Sequence, residues 1–341
     1  MRRVLVLALV AFAVIFRLAP VEAADFTDSL GRTVTLPDHV QHVLAAGPPA
    51  AVAVYTVAPE KLIGWVRPLT DAQKPFIAEP YRDLPVTGGL TGKESDIGAA
   101  EVKALKPDLI IDVGDLKPQY RELADKIQSE TGIPYVVLDG SIDAMPELHA
   151  QLSLLLDAGL KGDLLALQTA SALAQVAASK GSAIRPARIY YAQSRDGPEP
   201  MNMGGMGGID PGILKSLGAV SFKGEHSTSG HGNVTAGQVA DFNPDLILAS
   251  TADIAKWIAT DPKWRAVPAV AAGKVYAVPS LPWGWLGTPP SVNRLIGLEW
   301  LSALLYPQEP KRDLAADVRA FYRSYYQLDL TDAQVQKLLA P

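Results

Sequence analysis

The stretch Glu101–Val113 reads EVKALKPDLIIDV, and the chain returns to the same pattern with QVADFNPDLILAS at Gln238–Ser250. Each segment combines a short amphipathic helix pattern, a Pro-Asp corner and an apolar run rich in β-strand formers. Proline ends a helix and fixes the turn, and the following aspartate can accept hydrogen bonds from nearby backbone amides. The two corners lie about one domain length apart. Because both the preceding helix and the following strand recur, the sequence predicts two lobes of similar build.

Short apolar runs alternate with helical patterns along the rest of the chain, which is typical of parallel sheets covered by helices. The predicted strands are Val40–Ala46, Lys61–Trp65, Asp108–Val113, Tyr135–Leu138, Arg188–Gln193, Asp245–Ser250 and Val275–Pro279. We therefore expect an α/β fold with two lobes, each built on a mostly parallel sheet flanked by helices.

The segment between the two lobes has apolar residues at helical spacing, from Asp143 to Ser179. No Gly/Ser-rich or Pro-rich linker occurs there, so we predict a long, rigid, mostly continuous helix that bridges the lobes. About 20 helical residues span about 30 Å, roughly one domain diameter. Gly159 and Gly162 leave an ordinary helical hairpin as the alternative. The predicted organisation is a signal peptide at 1–23, an N-terminal α/β lobe at 24–142, an inter-lobe helix at 143–180 and a C-terminal α/β lobe at 181–341.

The N-terminus has the pattern of a secretory signal peptide. Two arginines precede the apolar run Val4–Phe16, and small residues precede a cleavage position before Ala24. A membrane-spanning helix needs roughly 20 apolar residues, whereas Arg17 and Pro20 interrupt this run. The chain contains no cysteine, which excludes disulfides, thiolate metal sites and a lipidated cysteine anchor. We therefore predict a protein of the Gram-negative periplasm.

Composition and motifs exclude several classes of function. The net charge is −5 and the basic residues are scattered, so no surface typical of nucleic-acid binding is expected. The chain has no GxSxG motif, no HExxH pair and no cysteine nucleophile, so we predict no enzymatic activity. No cofactor and no resident metal site are predicted.

Several further segments occur in an order that is shared with one family. They are FTDSLGRTVTLPDHVQHVLAAGP after the signal peptide, and then KLIGW, VTGG, ALKPDLII, TGIPYVVLD, NPDLILAS, GKVYAVPS and NRLIGLEWLSALLYP. As a set they resemble the periplasmic binding proteins of the iron-siderophore, haem, cobalamin and molybdate class of ABC importers, the helical-backbone binding proteins. The resemblance implies a ligand held between two lobes, a small closing motion, and delivery to an inner-membrane permease with its ATPase. We expect the chain to be a monomer.

One position departs from this family pattern. Relatives usually dock on the permease through one exposed glutamate per lobe, in the short helix before each Pro-Asp corner. In the second lobe Gly237 stands where the resemblance places that glutamate, and in the first lobe Glu101 is shifted by one residue. Other acidic candidates are Glu94, Glu225 and Asp241.

Candidate ligand residues lie just after the predicted strands, because ligands of open α/β sheets bind beyond the carboxyl ends of the strands. In the first lobe this selects Pro48, Trp65 and Arg67. Trp65 offers a flat apolar face and Arg67 a cation. Alternatively, Trp65 packs at the edge of the core and Arg67 is solvated.

In the second lobe the same rule selects Tyr191 and Arg195, followed by Asn202 and Met203 in the Gly-rich segment Met201–Gly208. We interpret this segment as a cleft wall that lets a ligand approach the backbone. Its three methionines could bind copper(I), but adaptable apolar packing is the favoured interpretation.

Two further candidates come from loops of the second lobe. His231 precedes a helix that borders the cleft in relatives, and an imidazole can bind a metal or a carboxylate. Trp283 and Trp285 lie in the loop PWGWLG directly after a strand, where they should face either the core or a ligand, and we expect the ligand. Aromatic faces together with Arg67 and Arg195 suit an anionic, partly aromatic chelate.

These observations predict a periplasmic solute-binding protein of an ABC importer that captures a metal chelate, with a ferric siderophore as the first candidate. The alternatives are a carrier of haem, cobalamin, molybdate or another metal complex, and a ligand sensor subunit that is not part of an importer.

Overall fold

The computed structural model describes residues 25–92, 95–180, 185–193, 209–222, 234–307 and 312–340. The strands are β1 Asp25–Thr27, β2 Thr33–Thr35, β3 Val43–Ala45, β4 Leu109–Gly114, β5 Tyr135–Asp139, β6 Ala187–Ala192, β7 Ala219–Ser221, β8 Leu246–Ala249 and β9 Val275–Ala277. The α-helices are α1 Pro48–Val57, α2 Ala99–Leu105, α3 Pro118–Thr131, α4 Met145–Leu155, α5 Gly159–Ser179, α6 Pro211–Leu217, α7 Ala236–Phe242, α8 Ala252–Thr260, α9 Pro268–Ala271, α10 Asn293–Leu305, α11 Leu314–Tyr326 and α12 Asp332–Leu339.

Two parallel sheets form the centres of two lobes, which confirms the predicted fold class. The first has the order β3-β4-β5 and the second the order β7-β6-β8-β9, while β1 and β2 pair as a separate antiparallel hairpin. The predicted strand Lys61–Trp65 is wrong, because Leu62 and Trp65 make only isolated bridges. The three-residue strand β7 was not predicted.

The aspartates of the two Pro-Asp corners make equivalent hydrogen bonds in the two lobes. Asp108 Oδ2 accepts hydrogen bonds from the amides of Gln41 and His42, both at 2.8 Å, just before β3 begins. Asp245 Oδ2 accepts from the amide of Arg188, on the neighbouring strand β6, at 2.8 Å. Each carboxylate thus fixes the start of the adjacent parallel strand, which explains why this motif accompanies a helix and a strand twice.

The connection between the lobes is shorter than the predicted helix over 143–180. The helix breaks between α4 and α5, where Asp157 and Gly159 have φ values of 47° and 53°. Helices α4 and α5 pack closely against each other, and α5 alone, with 21 residues, leads from the first sheet to the second. Helices α4 and α5 therefore form a helical hairpin, as in the alternative interpretation of the sequence. Only its second helix, Gly159–Ser179, connects the lobes.

The C-terminal helices return to the first lobe. The Tyr55 hydroxyl of α1 donates to the Tyr326 carbonyl of α11 at 3.1 Å, and Gln327 donates to the Thr56 carbonyl at 3.2 Å. Gln334 of α12 reaches the first lobe as well. The C-terminal lobe predicted at 181–341 includes these helices, and in the structure α11 packs against both α1 and α10. Within the described residues, no helix combines the length and apolar character that crossing a membrane requires.

Candidate ligand cleft

A cavity of about 220 Å³ lies between the first lobe and the loop that follows β9. The first lobe supplies the start of α1 and the segment after the bridge at Trp65, and the loop supplies the facing wall. The lining residues are Pro48, Ala51, Val52, Trp65, Val66, Arg67, Pro68, Leu69, Gln73, Trp283, Thr288 and Pro289. Most are apolar, and Arg67 is the one ionisable side chain in this set.

Two tryptophans pack against each other in the wall of this cavity. The ring centroids of Trp65 and Trp283 are 5.5 Å apart, with the planes inclined by 46°. Trp65 Nε1 donates to the Tyr81 carbonyl at 2.8 Å, and Asn293 donates to the Trp283 carbonyl at 3.0 Å. Tyr55 packs against Trp65 from behind, so these indoles are held in place by the protein before any ligand arrives.

Arg67 forms an ion pair at the edge of the cavity. Its Nη1 lies 2.6 Å from Asp96 Oδ2, and Asp96 Oδ1 accepts a hydrogen bond from the Gly89 amide at 2.8 Å. The Gly89 amide and then Arg67 lower the pKa of Asp96. The carboxylate therefore stays ionised and anchored, and it orients a guanidinium that is itself 37% exposed.

Gln73 connects the two walls of the cavity. Its Nε2 donates to the Pro282 carbonyl at 2.8 Å. The sequence did not point to Gln73, Thr288 or Pro289, nor to Asp96 behind Arg67. The Thr288-Pro289-Pro290 run is a turn signal that could have indicated a second approach of this loop to the cleft.

The structure brings together four of the predicted ligand residues, namely Pro48, Trp65, Arg67 and Trp283. Trp65 also belongs to the hydrophobic core, with only 3% of its surface exposed. Two others are placed in the core. Trp285 is fully buried, and its carbonyl lies so close to α10 that a Cβ on Gly297 would be 1.9 Å away. The expectation that Trp285 faces the ligand is therefore wrong.

Tyr191 also belongs to the core. It is 8% exposed at the end of β6, burial raises its pKa to about 12, and it does not line the cavity. The remaining predicted ligand residues, Arg195, Asn202, Met203 and His231, lie outside the described residues, as do the methionines considered for copper.

The helices before the Pro-Asp corners present matching residues. Glu101 is the third residue of α2 and accepts from the Gly98 amide at 2.8 Å. Gln238 is the third residue of α7 and accepts from the Thr235 amide at 2.9 Å. The counterpart of Glu101 in the second lobe is thus the neutral Gln238, one residue after Gly237, and both side chains are exposed.

The described residues contain no cluster of three or more histidine, aspartate or glutamate side chains that could hold a metal ion. What the cavity offers instead is two aromatic faces, apolar walls and one guanidinium. This arrangement can bind an organic group by stacking and an anionic group by charge pairing.

Comparison with known families identifies the chain. The family model described as periplasmic binding protein matches residues 77–281. The chain belongs to this family. Members are binding proteins of the periplasm, which confirms the predicted class, the absence of enzymatic activity and the periplasmic location at the level of the family. None of the curated proteins matches the sequence significantly.

Solved structures share the fold of this binding protein. An ABC transporter solute binding protein from Sulfurospirillum deleyianum has a TM-score of 0.78 at 23% identity, over 93% of this chain and 99% of that chain. The molybdate periplasmic binding protein of Haemophilus influenzae has a TM-score of 0.64 at 22% identity, over 90% and 99%. CeuE of Helicobacter pylori, in a complex with Ni–His, has a TM-score of 0.62 at 17% identity, over 93% and 99%.

Proposed function

We propose that this periplasmic binding protein captures an organic metal chelate, with a ferric siderophore as the first candidate, and delivers it to an inner-membrane ABC permease. The observation that carries the proposal is the pair Trp65 and Trp283, which pack against each other in the cavity wall with Arg67 at its edge. A bare oxyanion is recognised by amides and hydroxyls and has no use for two indoles. An aromatic, anionic chelate uses both the indoles and the guanidinium.

The ion pair between Arg67 and Asp96 affects which anionic ligands can bind. Asp96 is held by the Gly89 amide, so it cannot follow Arg67 if the guanidinium turns toward a ligand. An anionic ligand therefore competes with an anchored carboxylate for the same cation. We expect this competition to select ligands with at least two negative oxygens, because these can engage the guanidinium in a bidentate manner.

The second candidate is a more compact metal complex. A cavity of about 220 Å³ lies below the roughly 300–1,000 Å³ that is usual for drug-sized ligands. This volume favours a metal ion with one or two small chelators. The related structures with molybdate and with Ni–His are in accord with such a ligand.

Native mass spectrometry of protein purified from the periplasm tests the proposal first. We expect a co-purifying chelate with a bound metal, and the mass of the protein itself should match a chain that begins at Ala24. A mass that includes the first 23 residues would contradict the cleavage site.

Fluorescence titration then tests the site. Ferric citrate, a ferric catecholate, molybdate and Ni(II)–histidine serve as probes, and a bound probe should quench tryptophan emission without turnover. Trp283→Ala should weaken the affinity about tenfold or more, since buried aromatic contacts dominate binding. Trp257→Ala is the matched control, because Trp257 packs in a different core cluster. Equal loss in both variants, or no loss in Trp283→Ala, would contradict the assignment of the cavity.

A further inference from the structure

The inter-lobe helix α5 exposes a row of large apolar side chains. Leu160, Leu164 and Leu167 are 74%, 47% and 67% exposed, and Leu154 at the end of the adjoining helix α4 is 71% exposed. The opposite face of α5 carries its buried residues, among them Leu165, Thr169 and Val176. A helix of a soluble protein normally turns its leucines inward, so this outward row requires a separate explanation.

The exposed row continues along the whole helix with coiled-coil spacing. After the three leucines come Ser171, Ala174 and Ala178, which are also exposed. The six positions alternate steps of four and three residues, which is the spacing of a packing seam between two helices. No seam position is charged. From Leu160 to Ala178 the seam is about 27 Å long.

The seam is complementary to itself when it is reversed. An antiparallel copy of α5, related by a two-fold axis at the level of Thr169, places Leu160 opposite Ala178, Leu164 opposite Ala174 and Leu167 opposite Ser171. Every leucine then meets a small residue, as close packing of two helices requires. An isologous contact of this kind is the usual one in homodimers.

The charges beside the seam do not oppose this pairing. In the same register Asp163 lies opposite Gln175 of the other copy, and Lys161 lies opposite Ala177. No like charges meet. A helix that lies on an anionic membrane would instead carry several lysines and arginines along its flanks, whereas Lys161 is the one basic residue on the exposed flanks of α5, beside Asp163, Gln168 and Gln175.

We propose that the exposed face of α5 is a self-association surface, on which a second copy of this chain packs its own α5 in the antiparallel direction. One helix pair is at the small end of specific interfaces, so the dimer is weak and depends on concentration. None of the residues that line the ligand cavity belongs to α5, so association leaves the cavity accessible. This inference replaces the sequence-based expectation of a monomer and is independent of the ligand.

Sedimentation velocity of the full mature chain, over roughly 5–500 µM, tests the proposal. The wild type should shift from monomer to dimer within this range. Leu164→Glu should raise the dissociation constant at least tenfold, because it buries a charge in the seam. Leu116→Glu is the matched control, since Leu116 is 39% exposed and lies in the loop between β4 and α3. A wild type that remains monomeric throughout would overturn the proposal.

A swap of sizes distinguishes this packing from unspecific hydrophobic association. Ala174→Leu alone sets leucine against leucine and should weaken the dimer. The double variant Leu164→Ala/Ala174→Leu restores one large and one small residue at each contact and should regain most of the affinity. Stronger association in Ala174→Leu would overturn the proposal, because unspecific contacts gain from added apolar surface.

Disulfide cross-linking tests whether the two helices are antiparallel. Because the chain contains no cysteine, only the introduced cysteines can form a disulfide. Leu160→Cys/Ala178→Cys should form an intermolecular disulfide. Ala178→Cys alone should not, because the two copies of residue 178 are about 27 Å apart along the axis. A disulfide in the single variant would show a parallel pair and contradict the proposal.

Discussion

Asp112 lies on β4 in the core of the first lobe, with 4% of its surface exposed. Its carboxyl accepts hydrogen bonds from Thr91 Oγ1 and the Tyr135 hydroxyl, each at 3.3 Å. Burial raises the pKa of Asp112 to about 6, against these hydrogen bonds, which favour the ionised form. Between about pH 4 and 6 the folded protein therefore retains a proton that the unfolded chain releases at its ordinary pKa of 3.8.

Asp112→Asn should remove the resulting pH dependence. As the pH rises from about 4 to 6, the wild type loses free energy of unfolding, because the folded state binds the proton more tightly than the unfolded state. The variant should not lose it, and near pH 7.5 it should be more stable by on the order of 2–3 kcal/mol. Urea unfolding across this range measures the difference, with exposed Asp241→Asn as control. Parallel pH profiles of wild type and variant would argue against a buried, protonated carboxyl.

The contribution of His149 to stability changes with pH in the opposite direction. Burial between α4, α5 and α11 lowers its pKa to about 4, and Thr169 Oγ1 lies 3.0 Å from its Nδ1. The unfolded chain takes up a proton near 6.5, so stability is lost as the pH falls from about 6.5 to 4. In His149→Gln this loss should disappear, so the stability of the variant relative to the wild type should rise as the pH falls. Thermal unfolding at several pH values checks it, and a variant with an unchanged acid profile would refute it.

At the scale of elements, the contact between α4 and α5 depends on one missing side chain. A Cβ on Gly162 would lie 2.4 Å from the Ser153 Cβ and 2.9 Å from its Cα. The helices can approach this closely only because Gly162 has no side chain. This proximity brings the Ser153 hydroxyl within hydrogen-bond distance of the Gly159 carbonyl and the Asp163 carboxylate, and its one proton is shared between these two acceptors.

Gly162→Ala should therefore destabilise the protein, although alanine favours a helix by about 1 kcal/mol over glycine. The collision involves backbone atoms, so we expect a net loss of roughly 1–3 kcal/mol. Ser153→Gly/Gly162→Ala should recover part of it. Denaturant unfolding of the three proteins measures this, and a stabilised Gly162→Ala would mean that the two helices separate easily.

Sequence patterns predicted elements where the local signal was strong. The strands β4 and β8 follow Pro-Asp corners and appear where expected, since the carboxylates fix their neighbours. The break near Gly159 was visible only as an alternative, because a glycine in a helical pattern does not reveal whether its φ is positive.

In the loop PWGWLG both tryptophans follow the same strand. Their separation into a cleft residue and a core residue depends on the close approach of Gly297, which is a distant position in the sequence.

At the scale of the whole molecule, Arg294 ties the lobes together. This residue of α10 is 3% exposed, and its Nη1 lies 2.5 Å from Asp210 Oδ2, at the start of α6 in the second lobe. Its Nη2 donates to the Gly140 carbonyl, just after β5 in the first lobe. The guanidinium thus joins the carboxyl end of one sheet to a helix of the other lobe, beside the covalent link through α5.

Arg294→Met should cost roughly 3–5 kcal/mol of unfolding free energy, because it leaves the Asp210 carboxylate and the Gly140 carbonyl without their partner. Arg294→Lys keeps the charge but cannot span both acceptors, so it should lie between the wild type and Arg294→Met. Asp210→Asn combined with Arg294→Met should lose less than the sum of the single variants, since the unpaired charge is gone. Denaturant unfolding of this double-mutant cycle measures the coupling. Strict additivity would mean that Arg294 and Asp210 act independently, and that the lobes are held in register by α5 and the C-terminal helices instead.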